Sequence, residues 1–219
     1  APVLSATGII MIVAVPLSGQ APVPAANGRS TTSPPAATLP AAAEETSPDI
    51  VQALNSSKVA IDAGQFAEAR QILHQAAKNH ASDLRILTQL AFAYERSAEA
   101  ARVNESDPKA TKTAADYLDQ AVDIYMEAAA IAVTQKHLSV AEQIYTRVLM
   151  YRPATSKAIL ALARIMAATD RKIQGIDRYK DYLKTPDGRE DGTAYLELGW
   201  LYLDANLWRQ ATDALARAQ

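Results

Sequence analysis

His74, His80 and His137 are the side chains in this sequence best able to move a proton or hold a metal near neutral pH. None sits in a ligand spacing such as His-Glu-x-x-His, which sets two ring nitrogens on one helix face, so each reads as a surface or helix-end residue. The eight glycines are scattered, leaving no Gly-rich turn to cradle a phosphate. Glu44 and Glu45 are adjacent and cannot form a positioned acid–base pair. Cysteine is absent, which removes disulfides, thiolate metal sites and a cysteine nucleophile together. A chain without thiols is at home in either redox compartment. The sequence therefore predicts no catalytic residue, no cofactor and no metal. Asn55-Ser56-Ser57 and Asn104-Glu105-Ser106 match the glycosylation tripeptide, a pattern common by chance that matters only in a eukaryotic secretory chain.

With chemistry unsupported, the elements themselves become informative. The chain has 219 residues, 49% hydrophobic and 21% charged, enough for one large or two small domains with a packed core. Lys and Arg total 22 against 24 for Asp and Glu. A nucleic-acid binder advertises a basic face, and none is predicted here.

The sequence divides near residue 47. From Ala1 to Ala43 the only charged side chain is Arg29, and eight of the 11 prolines fall at or before Pro48. Gly8 to Leu17 is an uninterrupted apolar run of ten residues. A membrane span needs roughly 20 apolar residues, a signal-peptide apolar region about 7–15. Gly19-Gln20-Ala21 and Val23-Pro24-Ala25 resemble small-x-small cleavage sites, although no basic segment precedes the run. Residues 1–18 are expected to be a signal peptide or an uncleaved membrane anchor, with a buried core segment as the third reading. Either of the first two places the remainder in an extracytoplasmic compartment, periplasm or cell envelope, with membrane contact only through residues 1–18. Residues 19–47, rich in Pro, Ala, Ser and Thr, lack the bulky apolar groups needed to offset the entropy of ordering, and are expected to be a disordered spacer.

Beyond Ser47 the pattern becomes helical. Ser47-Pro48-Asp49 is a helix start, with Ser able to cap and Pro suited to the first turn. Tyr195, Leu198, Gly199 and Tyr202 line one helix face. After a turn at Asp204 to Leu207, Trp208, Ala211, Leu215 and Ala218 line a second. Related sets recur. Ile159, Leu162, Ala163 and Met166 precede Gly175, Tyr179 and Tyr182. Tyr125, Ala128, Ala129 and Ala132 precede Leu138, Ala141, Tyr145, Val148 and Pro153. Gly64, Phe66, Ala69, Leu73 and Ala76 form the first, and Leu87, Leu90, Ala91 and Tyr94 open another. Ala91, Ala129, Ala163 and Gly199 fall in one register, at separations of 38, 34 and 36.

This spacing resembles the tetratricopeptide repeat (TPR), a 34-residue helix–turn–helix with small residues where two helices cross and large ones filling the gap. The resemblance covers about residues 49–219. It implies an all-α, right-handed α-solenoid of four to five stacked hairpins over residues 48–219. The stretch Asn104 to Pro108 breaks the pattern. Asp83 to Val103 and Lys109 to Gln135 then read as two long helices, giving an odd helix count; a short degenerate helix near Ser97 to Val103 is the alternative. Because Leu215 and Ala218 are expected to face outward with no cap after them, the last repeat is expected to be truncated. The Tyr and Trp residues fall on repeat positions and are expected to be core.

The resemblance also implies a protein-binding role, with a concave face lined by first helices that receives a peptide or helix. By register that face would carry Phe92, Arg96, Met126, Lys157, Arg164 and Trp200, a mixed apolar and basic groove suited to a partner with acidic and bulky apolar residues. The plainer reading is that Phe92 and Met126 pack on a neighbouring helix while Arg96 and Arg164 are solvated. The carboxylate clamp of chaperone-tail binders needs Lys and Asn where this chain has Leu54 and Lys58, so that mode is not expected. The function expected is a membrane-associated or exported scaffold. The alternatives are a regulatory or targeting arm of a longer enzyme whose catalytic domain lies outside this chain, and a cytoplasmic adaptor.

Overall fold

The structure, a computed structural model, describes residues 47–102 and 108–219. They lie in one compact unit and contain nine helices and no strand: α1 (Pro48–Asp62), α2 (Phe66–Asn79), α3 (Leu84–Ala101), α4 (Pro108–Thr134), α5 (Leu138–Tyr151), α6 (Ser156–Ala168), α7 (Lys172–Leu183), α8 (Gly192–Asp204) and α9 (Trp208–Arg217). The apolar run, the spacer and the tripeptide at Asn104 lie outside the described residues. Each helix packs on the next along the chain, and α1 also touches α3. The fold is an all-α solenoid. Among the described residues no helix is long and apolar enough to cross a membrane.

Four helix pairs, α1–α2, α4–α5, α6–α7 and α8–α9, are closed by three-residue turns of one design. The middle residue is left-handed: Gly64 (φ 75°), Lys136 (φ 62°), Asp170 (φ 58°) and Asn206 (φ 59°). The next residue's N–H then donates to a carbonyl five positions back, as in Gln65 to Ala60 (2.8 Å), His137 to Ala132 (2.8 Å), Arg171 to Met166 (2.9 Å) and Leu207 to Tyr202 (2.9 Å). That bond satisfies a carbonyl the helix end would leave unpaired. Only Gly64 is a glycine. The other three carry a Cβ in a conformation costing about 1–2 kcal/mol, so packing of the paired helices holds them there.

Within each of these hairpins two small residues stand 12 apart: Ser57 and Ala69, Ala129 and Ala141, Ala163 and Gly175, Gly199 and Ala211. All eight are buried. The closeness is steric. A Cβ on Gly175 would lie 3.3 Å from the Ala163 carbonyl oxygen and 3.1 Å from Leu201, and one on Gly199 would lie 2.6 Å from Leu215. Ser57 is fully buried at the first crossing and donates to the Leu54 carbonyl (3.1 Å), so its hydroxyl is satisfied. Tyr145, Leu162, Tyr179, Leu198 and Tyr202 are buried between hairpins, Ala76 and Ala218 are half-buried, and Pro153 is exposed in the α5–α6 turn.

The helix without such a partner is α3. It lies between α2 and α4, packing on both, and carries Leu87, Leu90, Ala91 and Tyr94 into the core. Two long helices and an odd count, as the polar break implies, are what the structure holds among its described residues; the short degenerate helix is not. The core forms two clusters that meet at α6. Its Ala158, Leu162 and Ile165 belong to the first, its Ile159 and Ala163 to the second.

Three expectations are corrected. Ser47 makes no side-chain cap; its hydroxyl donates instead to the Asp49 carboxylate. Leu215 does not face outward but lies over Gly199, whose missing side chain makes room for it. The aromatic residues are not all core: Tyr94, Tyr125, Tyr145, Tyr179, Tyr182 and Tyr202 are buried, but Trp200 is 60% and Trp208 64% exposed.

Candidate partner-binding surface

Phe92, Glu95, Arg96 and Glu99 recur at three- and four-residue steps on α3 and so share a face. That face is not open along its length. Glu95 is 1% exposed; it accepts from Tyr125 Oη of α4 (3.0 Å) and from Arg147 Nε (2.9 Å) and Nη2 (2.6 Å) of α5. The Arg147 guanidinium stands 5.7 Å from the Phe92 ring centre and 5.6 Å from that of Tyr125. Phe92 is thus half-buried against an intrachain cation. Arg96 ion-pairs with Glu99 one turn on, and Met126 is half-buried against the first core cluster.

The electrostatics follow from burial. Desolvation, with the Glu95 charge beside it, pushes the Tyr125 phenol well up, and the same two causes raise Tyr151. Desolvation works to lower Arg147, but its hydrogen bond to Glu95 and the electrostatics of its neighbours together outweigh this and raise it. These shifts keep Tyr125 and Tyr151 as phenols and Arg147 as a cation near neutrality, and the buried Glu95–Arg147 pair clasps α3 to α5 across α4.

The other three expected groove residues lie elsewhere and are solvent-facing. Lys157 is exposed in the first turn of α6, Arg164 further along it, and Trp200 on α8. Arg164 Nε donates to Glu197 Oε2 (2.9 Å) on α8, and the same oxygen accepts from Tyr179 Oη (2.9 Å) on α7. The hydrogen bond to Glu197 raises Arg164, and burial beside the Glu197 charge raises Tyr179. One turn before Trp200, Leu196 is 43% exposed. It escaped the sequence reading although it stands three residues before Gly199, as Met126 stands three before Ala129. The structure therefore groups Lys157, Arg164 and Trp200 on α6 and α8, and sets Phe92, Arg96 and Met126 apart on α3 and α4.

His74 is exposed with its Nε2 2.7 Å from Tyr94 Oη, and His80 Nε2 is 2.7 Å from Asp49 Oδ2. His137 occupies the α5 N-cap. Among the described residues no three His, Asp or Glu side chains gather as a metal site. A cleft of about 460 Å³ opens between α7, α8 and α9, with Leu198, Tyr195 and Tyr202 in its wall and Lys180, Asp213 and Arg217 around them.

No protein-family model matches the chain, and no curated protein matches it. Several solved structures are similar in backbone course. A MamA protein is 13% identical, with 78% of this chain and 90% of that one covered and a TM-score of 0.45. MamA residues 41 to the end from Desulfovibrio magneticus RS-1 is 17% identical, with coverage of 78% and 94% and a TM-score of 0.41. YrrB, described as a TPR protein with an unusual peptide-binding site, is 12% identical, with coverage of 77% and 84% and a TM-score of 0.43. Values this low assign no ligand to this chain.

Proposed function

We propose that this protein is an interaction scaffold whose first-helix face, at α6 and α8, receives a peptide or helix of another protein. The observation that carries this reading is the pair Leu196 and Trp200, 43% and 60% exposed one turn apart, beside the Arg164–Glu197 bridge. Exposed large apolar groups rimmed by charge mark interaction sites, and Trp and Arg are where binding energy concentrates. Lys157 adds a cation at the start of α6. A segment with bulky apolar and acidic residues suits such a face. The double substitution Trp200→Ala with Arg164→Glu should abolish partner capture in a pull-down while leaving the helical circular dichroism and Tm close to wild type. Retention of the same partners by the double variant would reject the reading.

We place this activity on the extracytoplasmic side of a membrane. The apolar run Gly8 to Leu17 and the Pro/Ala-rich stretch after it support this. Fractionation of cells expressing the chain with and without residues 1–18 tests it: both forms recovered from the cytosol would overturn it.

A further inference from the structure

Arg70, on α2, is a half-buried cation set between two tyrosine rings. Its guanidinium lies 4.4 Å from the Tyr117 ring centre and 5.1 Å from that of Tyr94. Nη1 donates to Ser97 Oγ (2.5 Å), and Nη2 reaches Tyr117 Oη only at 3.5 Å. Arg carries five N–H donors, so most are left over, and Arg70 has no carboxylate partner among the described residues. Arg147, Arg164 and Arg171 by contrast answer carboxylates, those of Glu95, Glu197 and Glu142, while Arg217, like Arg70, has a tyrosine ring as its described partner.

The surroundings fit a bound anion. Arg70 lines a cleft of about 560 Å³ between the α1–α2 turn, the end of α3 and α4, walled by Phe66, Ala67, Ala100, Ala101 and Tyr117. Glu68, also in the wall, makes no ion pair with it. Next along α2 stand His74 and Lys78, both exposed. Burial first, and then the positive charges of Arg70 and Lys78, hold His74 below its ordinary value. The cleft exists because α3 has no hairpin partner: α2 and the first half of α4 flank it.

We propose that this cleft binds the carboxylate of an acidic side chain on a partner protein. A guanidinium held between the Tyr117 and Tyr94 rings, with N–H donors left over, can take up carboxylate oxygens. Arg70 is the one cation among the described lining residues and Glu68 the one carboxylate, a balance that disfavours a phosphate dianion more than the single charge of a carboxylate. The site lies on α2, α3 and α4, shares no residue with the α6–α8 face, and stands or falls independently of it.

The test is fluorescence anisotropy of a fluorescein-labelled hexaglutamate peptide at fixed ionic strength, with the full chain. The wild type should bind it, and acetate should displace it more readily than inorganic phosphate. Arg70→Met should weaken binding by about tenfold or more, as loss of a charged hydrogen-bonded contact implies. Ala100→Glu, at an exposed helical site on the cleft wall, should weaken it comparably with Tm unchanged, and decides the matter if Arg70→Met does not fold. The Trp200→Ala, Arg164→Glu variant should bind as wild type does. Unchanged binding by Ala100→Glu, loss in the α6–α8 variant alone, no binding by wild type, or preferential displacement by phosphate would each overturn the proposal.

Discussion

The hairpins α6–α7 and α8–α9 and the segment α3–α5 solve one problem, fixing helix against helix, by different means. In the C-terminal pairs the crossings are made by Ala163, Gly175, Gly199 and Ala211, with almost no side chain between backbones, and the charged link Arg164–Glu197 lies at the surface, its side chains 49% and 33% exposed. In α3–α5 the hairpin rule lapses at α3, and a charged link lies inside: Glu95 and Arg147 are 1% and 6% exposed. The contrast teaches that steric registry suffices where a hairpin turn already brings two helices together. Where the chain skips a partner, a directional bond between helices 52 residues apart supplies the registry. A buried pair is itself weak evidence of added stability, because desolvating two charges offsets much of their attraction.

The sharpest way to break this comparison is Arg147→Met. Leaving Glu95 buried and unpaired should cost about 3–5 kcal/mol in urea unfolding, whereas Arg164→Met should cost at most about 1 kcal/mol because that pair is largely exposed. Adding Glu95→Leu to Arg147→Met should restore most of the loss. Equal costs for the two single variants would erase the distinction between inner and outer link.

A middle-sized effect tests the steric half. Ala141→Phe should overpack the α4–α5 crossing and cost about 1–3 kcal/mol; a Tm equal to wild type would mean that the 12-residue register of small residues does not mark close crossings.

The smallest effect bears on how α3 begins. Asp83 caps it, accepting from the backbone N–H groups of Arg85 (2.9 Å) and Ile86 (3.3 Å). Burial acts to raise its carboxyl, but the hydrogen bonds from Arg85 prevail and hold it below the ordinary carboxylate value. A depressed folded-state value means stabilisation present above the unfolded value of 3.8 and lost as pH falls below it. Asp83→Ala should therefore cost about 1 kcal/mol near neutrality, and the gap from wild type should shrink in acid. A gap that stays constant from pH 7 to pH 3 would contradict the cap.

Much of the fold could be read from local pattern. Pro48 and Pro108 announce two helix starts, the Ala91–Ala129–Ala163–Gly199 register sets the repeat, and the break after Val103 signals an odd helix. Ser57 completes that register, 34 residues before Ala91 and 12 before Ala69, but a serine among exposed polar neighbours does not look like a core residue. The turn at Asp204 to Leu207 is legible, but those at Lys136 and Asp170 escape because neither residue is a glycine. The candidate surface was legible in part. The rule that picked Trp200 also picked Phe92, yet one is open and the other lies against Arg147.

What the sequence alone determines is therefore periodic: where helices start, which flank is apolar, and where two backbones can approach. These follow from steps of three and four residues and need no knowledge of the neighbour. Only the tertiary structure decides that Glu95 is buried while Glu197 is not, that Phe92 is covered while Trp200 is bare, and that Arg70 meets two tyrosines and no carboxylate. These contacts join side chains 24 to 55 positions apart, and the energy of a charge or a ring depends on what surrounds it rather than on the helix that carries it.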